Sequence, residues 1–325
     1  MQAPAFWEEK TLLSHLLLPL GWIFGACTDL HRMSATSFRA SCPVICIGNL
    51  VAGGAGKTPI ALAVAERLQK SGVIAHFLSR GYLGQEKGPL RVDLERHTAR
   101  DVGDEPLLLA AHAPTWVSLD RSAGALAASK GADVVIMDDG FQNGSVKKDL
   151  SIVVVDGIYG FGNGRVMPSG PLREALTGGL ARADLIVVLG GSRSILRGAT
   201  STIPTAISAR LEPAEDSTKY LGRRIIAFAG IGRPQKFFDT ISEMGCDLVA
   251  THSFSDHYKY GAADLVALRT QAAQQDAELL TTEKDLVRIG RDNAEGISSL
   301  KVRVAWQNTA SLDAVLAKKV DHGRP

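Results

Sequence analysis

Residues 44–59 read VICIGNLVAGGAGKTP, and this stretch decides the fold. Its first four residues form a short apolar run that predicts a buried strand. A glycine-rich turn follows, and Lys57, Thr58 and Pro59 begin the next helix. Glycines let the backbone curl so that several N–H groups point at one anion, and a helix N-terminus adds positive potential at the same place. The stretch therefore predicts a phosphate-binding loop between a strand and a helix.

The side chains at the end of this loop suit the phosphates of a nucleotide. Lys57 can reach the β- and γ-phosphates, and the Thr58 hydroxyl is placed for Mg²⁺. The strict pattern has glycine six residues before the lysine, whereas this chain has Val51. A glycine-rich strand–helix turn that holds no nucleotide is the alternative. The predicted nucleotide-binding residues are Val51, Ala52, Gly53, Gly54, Ala55, Gly56, Lys57 and Thr58.

Short apolar runs alternate with helical patterns along the rest of the chain. Nearly continuous Val, Ile and Leu in these runs is typical of parallel strands that are covered on both faces. Strand–helix–strand repetition then predicts an α/β fold, a P-loop-type doubly wound parallel sheet with right-handed crossovers. The predicted strands are 44–47, 75–78, 134–137, 152–155 and 185–189, and the predicted helices are 59–70, 106–113 and 122–129.

The length of 325 residues is more than one core comfortably serves, which predicts a second domain. A polar stretch at 190–202 ends the first block. Apolar runs at 225–229, 248–250, 279–281 and 302–305 predict a second, smaller α/β unit. The predicted domains are an apolar N-terminal helix at 1–30, the P-loop domain at 31–205 and the second α/β domain at 206–325.

The composition argues against a nucleic-acid partner. The formal net charge is +2, aromatic residues make up 6% of the chain, and no dense run of Lys and Arg marks a duplex-binding face. The four cysteines lack the paired spacing of a metal site, and a reducing, cytoplasmic setting fits them best.

The N-terminus is unusually apolar. Residues 11–27 carry no formal charge, leucines recur there at helical spacing, and Trp7 and Trp22 bracket the run. It is short for a membrane span, which needs about 20 apolar residues, and Pro19 with Gly21 interrupts it. Two interpretations stay open: an interfacial helix in the lipid headgroup layer, and a helix docked on the protein's own core.

Two aspartates end the predicted strand at 134–137. An apolar strand that ends in acid is where a P-loop protein holds its metal. Because adjacent strand residues point to opposite faces, Asp138 and Asp139 can both face the site only if the strand has already ended, which Gly140 favours. A solvated turn is the alternative explanation.

Other polar stretches are ambiguous by themselves. Asp104 precedes an apolar helical run, where it suits a helix N-cap as well as an acceptor for a hydroxyl proton. Arg80 and residues 170–174 lie beside turn residues, where surface placement is the usual explanation. His257 lies among aromatic residues, and a single histidine of this kind is more often structural than catalytic.

Taken together, these motifs resemble one family, the tetraacyldisaccharide 4′-kinases of lipid A synthesis. The resemblance covers most of the chain, and its specificity comes from the order of the motifs. They are the apolar N-terminal helix, Gly48-Asn49, the loop at 53–59, Ser79-Arg80-Gly81-Tyr82, Gly103-Asp104-Glu105-Pro106, residues 138–142, 170–174 and 230–234, Asp256-His257-Tyr258 and residues 281–285.

This resemblance implies a lipid kinase that uses ATP and Mg²⁺. The reaction would transfer the γ-phosphate of ATP to the 4′-hydroxyl of a tetraacyldisaccharide 1-phosphate, at the cytoplasmic face of the bacterial inner membrane. The protein would be peripheral or monotopic, with the N-terminal helix as its membrane contact. Two Rossmann-like domains are implied, with the second closing over the nucleotide cleft. No obligate protein partner is inferred.

Carried over residue by residue, the resemblance implies Asp104 as the general base, oriented by His257 from the second domain. The implied metal residues are Thr58, Asp138 and Asp139, with Glu105 and Glu174 as helpers. The implied phosphate or substrate contacts are Arg80, Arg121 and Gln142. One departure is Asn143, which stands where the family usually has histidine and cannot carry a charge near neutral pH.

Two other classes of protein compete with this interpretation. A GTPase should show an Asn-Lys-x-Asp motif, which the chain lacks, and a partitioning-type ATPase should have lysine where this chain has Ala52. A membrane-associated nucleotide-binding scaffold without catalysis is the second competitor. It predicts that ATP binds and that no lipid product forms.

Overall fold

The computed structural model describes residues 4–196 and 205–321, and in these parts the chain forms thirteen strands and eleven α-helices. The strands are β1 (Val44–Gly48), β2 (Ala75–Ser79), β3 (Leu90–Arg91), β4 (Thr115–Val117), β5 (Val134–Asp138), β6 (Leu150–Asp156), β7 (Leu185–Leu189), β8 (Thr205–Pro213), β9 (Arg224–Ala229), β10 (Asp247–Ser253), β11 (Glu278–Thr282), β12 (Ile297–Leu300) and β13 (Val302–Trp306). The helices are α1 (Leu12–Leu16), α2 (Leu18–Ser34), α3 (Lys57–Lys70), α4 (Ala99–Val102), α5 (Asp104–Ala110), α6 (Arg121–Ala128), α7 (Leu176–Ala181), α8 (Pro234–Glu243), α9 (Ala262–Gln274), α10 (Glu283–Ile289) and α11 (Ala310–Asp321).

The larger unit is built on a nine-stranded sheet in the order β13-β8-β7-β6-β1-β5-β2-β4-β3. Its inner strands are parallel, and only the edge strands β3 and β13 run antiparallel to their neighbours. Every residue of β1, β2, β5, β6 and β7 is buried. The predicted doubly wound parallel sheet is therefore confirmed.

Helices cover both faces of this sheet, because successive strand residues point to opposite sides. Ile45 and Ile47 of β1 pack into a core with α3 and α11. Val44 and Cys46 pack on the other side, in a core that includes residues of α6 and α7. Ligands in such folds bind at the carboxyl edge of the sheet, between these layers.

The smaller unit is a four-stranded parallel sheet in the order β10-β9-β11-β12. Phe237 and Phe238 of α8 pack on one face of it, and Leu265 and Leu268 of α9 pack on the other. A second, smaller α/β unit is thus present, as the apolar runs at 225–229, 248–250 and 279–281 predicted.

The predicted boundaries of this second unit are wrong at both ends. β8 extends the large sheet beside β7, and β13 returns to pair antiparallel with β8. Leu312 and Leu316 of α11 are also buried in the core of the large unit. The apolar run at 302–305 was correctly predicted as a strand, but its hydrophobicity does not reveal which sheet it joins.

The N-terminal segment folds as two helices that meet at Leu17, with Pro19 in the first turn of α2. Gly21 and Gly25 face Val166, and a Cβ on Gly21 would lie 2.9 Å from the Val166 carbonyl oxygen. The opposite side is apolar and exposed, including Leu16, Leu20, Trp22 and Ile23. Across the described residues, we find no helix with both the length and the hydrophobicity needed to cross a bilayer.

Candidate active site

The loop between β1 and α3 depends on glycine at its last position. Gly56 has φ +81°, and a Cβ there would lie 2.2 Å from Cδ2 of Leu189. Gly53 also has a positive φ, of +103°. The Asn49 side-chain amide donates to the carbonyl oxygens of Val51 at 2.8 Å and Gly53 at 3.4 Å, which fixes the turn from inside.

The first part of the loop pairs with a neighbouring segment of the chain. The Ala52 N–H donates to the Pro171 carbonyl at 2.8 Å, and Val51 forms a bridge with Leu172. The Ala52 N–H is therefore already engaged within the protein. The N–H groups of the first turn of α3 have no intrahelical partner, so the end of the loop suits an anion better.

Asp138 has one carboxylate oxygen available in a buried place. The Thr58 hydroxyl donates to its Oδ2 at 3.2 Å, while its Oδ1 is buried and has no hydrogen-bond partner among the described residues. Burial raises the pKa of Asp138 to about 7, and the charge of Glu105 adds to the rise. A buried, unpaired oxygen beside a hydroxyl is the donor chemistry that Mg²⁺ prefers, so these residues fit that ion.

Asp139 is held by cations instead. Its φ of +52° shows that the strand has ended, so that its side chain also faces the loop. Its oxygens lie 3.5 Å from Nζ of Lys57 and 2.9 Å from Nη1 of Arg173. Burial alone would raise its pKa, but the charges of Lys57 and Arg173 outweigh burial and lower it. Both aspartates thus face the loop, and they have different partners.

Asp104 is buried where the two units meet. It is the first residue of α5, and its Oδ1 accepts the Glu105 N–H at 2.9 Å. From the smaller unit, Nδ1 of His257 lies 3.4 Å from Oδ2, and Nε of Arg288 donates to the same oxygen at 2.7 Å. Burial would raise the pKa of Asp104, but the contact with His257 and the charges of Lys284 and Arg288 lower it well below its ordinary value.

The two predicted metal helpers, Glu105 and Glu174, contact other polar side chains. Glu105 forms an ion pair of 2.6 Å with Lys284. Glu174 is 1% exposed, and its two oxygens accept from Gln142 at 3.0 Å and Arg182 at 2.5 Å. Both carboxylates therefore have partners within the protein, and their metal role stays a prediction. Within the described parts of the chain, no group of three His, Cys, Asp or Glu side chains is arranged to hold a metal ion.

The three predicted substrate contacts lie in different surroundings. Arg80 is exposed, at the end of β2. Arg121 is buried, and its Nη1 has no hydrogen-bond partner among the described residues. Burial lowers the pKa of Arg121 to about 10, although the charge of Asp139 acts in the opposite direction. The Gln142 amide donates to the Asn49 carbonyl at 2.9 Å as well as to Glu174. It therefore links the loop to Glu174.

Comparison with known proteins shows the family of this chain. A family model described as LpxK, tetraacyldisaccharide-1-P 4′-kinase, matches residues 13–321. The chain belongs to this kinase family. Proteins named tetraacyldisaccharide 4′-kinase from Paramagnetospirillum magneticum and Rhodospirillum centenum are 52% and 49% identical to it, over 94% and 100% of this chain and 95% and 99% of theirs. A crystal structure of the "apo" form of LpxK from Aquifex aeolicus in complex with ATP matches with a TM-score of 0.77 at 26% identity, over 95% of this chain and 100% of that one.

Three cations in the site of this tetraacyldisaccharide-1-P 4′-kinase family member have no role in the sequence-based prediction. They are Arg173 on Asp139, Lys284 on Glu105 and Arg288 on Asp104. Lys284 and Arg288 are four residues apart, which places them on one face of a helix. That spacing directly after the strand at 279–281 is the signal that could have found them.

Asn143, the departure from the usual histidine of this family, forms a local turn. Its Oδ1 accepts from the N–H of Ser145 at 3.0 Å and from the hydroxyl of Ser145 at 2.9 Å. Its carbonyl oxygen accepts from Lys148 at 2.6 Å. The side chain therefore stabilises the loop that carries Gln142, which gives asparagine a structural use at this position.

Proposed function

We propose that this chain transfers the γ-phosphate of ATP to the 4′-hydroxyl of a tetraacyldisaccharide 1-phosphate, at the cytoplasmic face of the bacterial inner membrane. The observation that carries the proposal is the burial of Asp104 between the phosphate-binding unit and the smaller unit, in contact with His257. Membership of the kinase family supports the reaction class and the acceptor.

The loop would hold the nucleotide through backbone and charge. The N–H groups at the end of the loop and in the first turn of α3 would donate to phosphate oxygens. Lys57 is 8% exposed and lies beside Asp139, so its ammonium is fixed at the mouth of the loop. Phosphoryl transfer depends mostly on positioning and on neutralising charge, which this arrangement supplies.

Thr58 and Asp138 are the residues that would hold Mg²⁺. When bound, Mg²⁺ would help to neutralise the negative charge of the phosphates during transfer. Oδ1 of Asp138 has no other described partner, whereas Asp139 is paired with Lys57 and Arg173. This difference favours Asp138 as the metal ligand. Asp139 would instead orient Lys57.

Asp104 would accept the proton of the 4′-hydroxyl as its oxygen bonds to phosphorus and ADP leaves. A carboxylate with a lowered pKa is a weak base, but the transition state of phosphoryl transfer is loose and the proton leaves late. A weak base that is always ionised therefore suffices. His257, 3.4 Å away, would keep the carboxylate oriented.

The acceptor carries acyl chains, and the exposed side of α1 and α2 suits contact with the membrane that contains it. Apolar side chains there face solvent, while glycines face the protein. Burying such side chains in the headgroup and acyl boundary is favourable in proportion to their apolar area. We propose this side as the contact that brings the site to its lipid substrate.

The test is a phosphate-transfer assay with ATP labelled at the γ-position and lipid A disaccharide 1-phosphate in mixed micelles. The wild-type protein should give labelled lipid that depends on Mg²⁺. Asp104→Ala should bind ATP as the wild type does and slow transfer by about 10²-fold or more. ATP binding without lipid product would instead favour the scaffold, and hydrolysis without lipid product another P-loop nucleotidase. Wild-type turnover by Asp104→Ala would contradict the assigned base.

A further inference from the structure

Arg288 contacts both members of the Asp104–His257 pair. Its Nε donates to Oδ2 of Asp104 at 2.7 Å, and its Nη2 lies 2.5 Å from the same oxygen. Nη2 also lies 3.4 Å from Nδ1 of His257. The Arg288 side chain is 7% exposed, so these contacts are buried. One planar group thus joins the two side chains that the proposed reaction needs together.

The other side of this guanidinium is fixed by the smaller unit. Nη1 donates to the Gly230 carbonyl at 2.6 Å and to Oδ1 of Asp285 at 2.9 Å. Asp285 is fully buried, and it accepts from the Thr282 hydroxyl at 2.6 Å and the Tyr260 hydroxyl at 3.0 Å. Arg288 therefore has little freedom to turn away, and the carboxylate it holds belongs to the other unit.

We propose that Arg288 is a positioning residue for phosphoryl transfer, which fixes Asp104 and His257 in one geometry when the smaller unit is docked on α5. This inference rests on the proposed kinase function. Arg288 takes no proton in the reaction, because a guanidinium has no acceptor and stays charged. The proton of the hydroxyl goes to Asp104, and Arg288 acts only through that carboxylate.

The shape of the guanidinium is what this position requires. Nε donates to Asp104, and Nη1 of the same plane donates to both Gly230 and Asp285. Lysine is a point charge on a flexible stem and cannot reproduce a planar fork. Because a displacement of about 1 Å of a catalytic group can cost about 10²-fold in rate, loss of the fork should appear in kcat rather than in nucleotide binding.

The smaller unit offers a matched control in Arg233. It also reaches the large unit with a guanidinium, donating from Nη1 to Oδ2 of Asp156 at 2.8 Å. It has no described contact with Asp104 or His257. Arg233→Ala therefore removes an inter-unit arginine–aspartate pair of the same kind without touching the proposed base.

The experiment compares wild type, Arg288→Ala, Arg288→Lys and Arg233→Ala in the lipid transfer assay, with kcat and both KM values determined and folding checked by circular dichroism. Arg288→Ala should lose about 10²-fold in kcat with little change in the KM for ATP. Added guanidinium at millimolar concentration should restore part of the kcat of Arg288→Ala. Arg288→Lys should stay clearly below wild type, and Arg233→Ala should keep kcat within about threefold and show no rescue.

The inference is overturned if Arg288→Ala or a folded Arg288→Lys keeps wild-type kcat, or if the loss lies wholly in KM. Absence of rescue by guanidinium in folded Arg288→Ala also counts against it. If Arg288→Ala does not fold, the kcat of Arg288→Lys decides the question. Lack of lipid product from the wild type would contradict the proposed function itself, and that result is distinct from full activity in the Arg288 variants.

Discussion

At the scale of single residues, the burial and the partners of each carboxylate determine which role it suits. Asp138 and Asp139 are neighbours in sequence, yet burial raises the pKa of Asp138 while Lys57 and Arg173 lower the pKa of Asp139 against the effect of burial. An isolated buried carboxylate favours the neutral form unless a cation joins it, and a paired one stays ionised. The first therefore suits a metal, and the second suits the orientation of Lys57.

Among the loop glycines, Gly56 has the least room for a side chain. Gly56→Ala should destabilise the protein, because alanine must take φ near +81° and its Cβ meets Leu189. The left-handed backbone costs about 1 kcal/mol and the overpacking about 1–3 kcal/mol more. Urea unfolding measures the difference.

Gly72→Ala is the matched control for that prediction. Gly72 has a φ of +75°, but a Cβ there meets nothing within 4 Å, so only the backbone cost applies. The two variants should therefore differ in free energy of unfolding by the steric cost alone. Equal stabilities would show that the loop does not pack against Leu189 as described.

At the scale of elements, the N-terminal helices combine a narrow inward stripe with a wide apolar outer side. Gly21 and Gly25 let α2 approach Val166 closely, and the Trp7 indole donates to the Pro168 carbonyl at 3.0 Å. The sequence left two interpretations open. Docking on the protein is observed for the side of these helices that carries Gly21 and Gly25. Contact with a membrane remains a proposal for the other.

The exposed side should control partition to lipid vesicles. Leu16→Glu combined with Ile23→Glu should weaken binding to vesicles by about 10²-fold or more, since each buried apolar side chain contributes about 1.5 kcal/mol or more. Leu126→Glu, an exposed apolar position on α6, is the control and should bind as wild type does. Co-sedimentation decides this, and unchanged binding of the double variant would count against the proposal.

The elements differ in how far the sequence predicts them. β1, β5 and β7 are buried on both faces, so each is a continuous apolar run with a single explanation. β13 is half-buried at the edge of the sheet, where Val304 and Trp306 pack on the core and Arg303 faces out. Such an alternating edge strand can join either sheet, and the sequence does not show that it returns to the large one.

At the scale of the molecule, the two units meet through ion pairs that no local sequence pattern predicts. Asp104 and Arg288 are 184 positions apart. On another part of the contact, Arg233 and Lys236 both donate to Asp156 at 2.8 Å. The loop, the aspartates and the pairing of Asp104 with His257 followed from motifs and family resemblance. The cations that hold these groups follow only from the way the chain folds back.

The most direct measurement of the central claim is titration calorimetry of the purified full chain with Mg·ATP, for wild type and Lys57→Ala. We expect saturable binding at one site in the wild type, dependent on Mg²⁺. We expect binding weaker by about 10²-fold in Lys57→Ala, because a buried charge on the phosphates is lost. No binding of Mg·ATP by the wild type, or equal binding by Lys57→Ala, would contradict the claim that this loop grips the nucleotide.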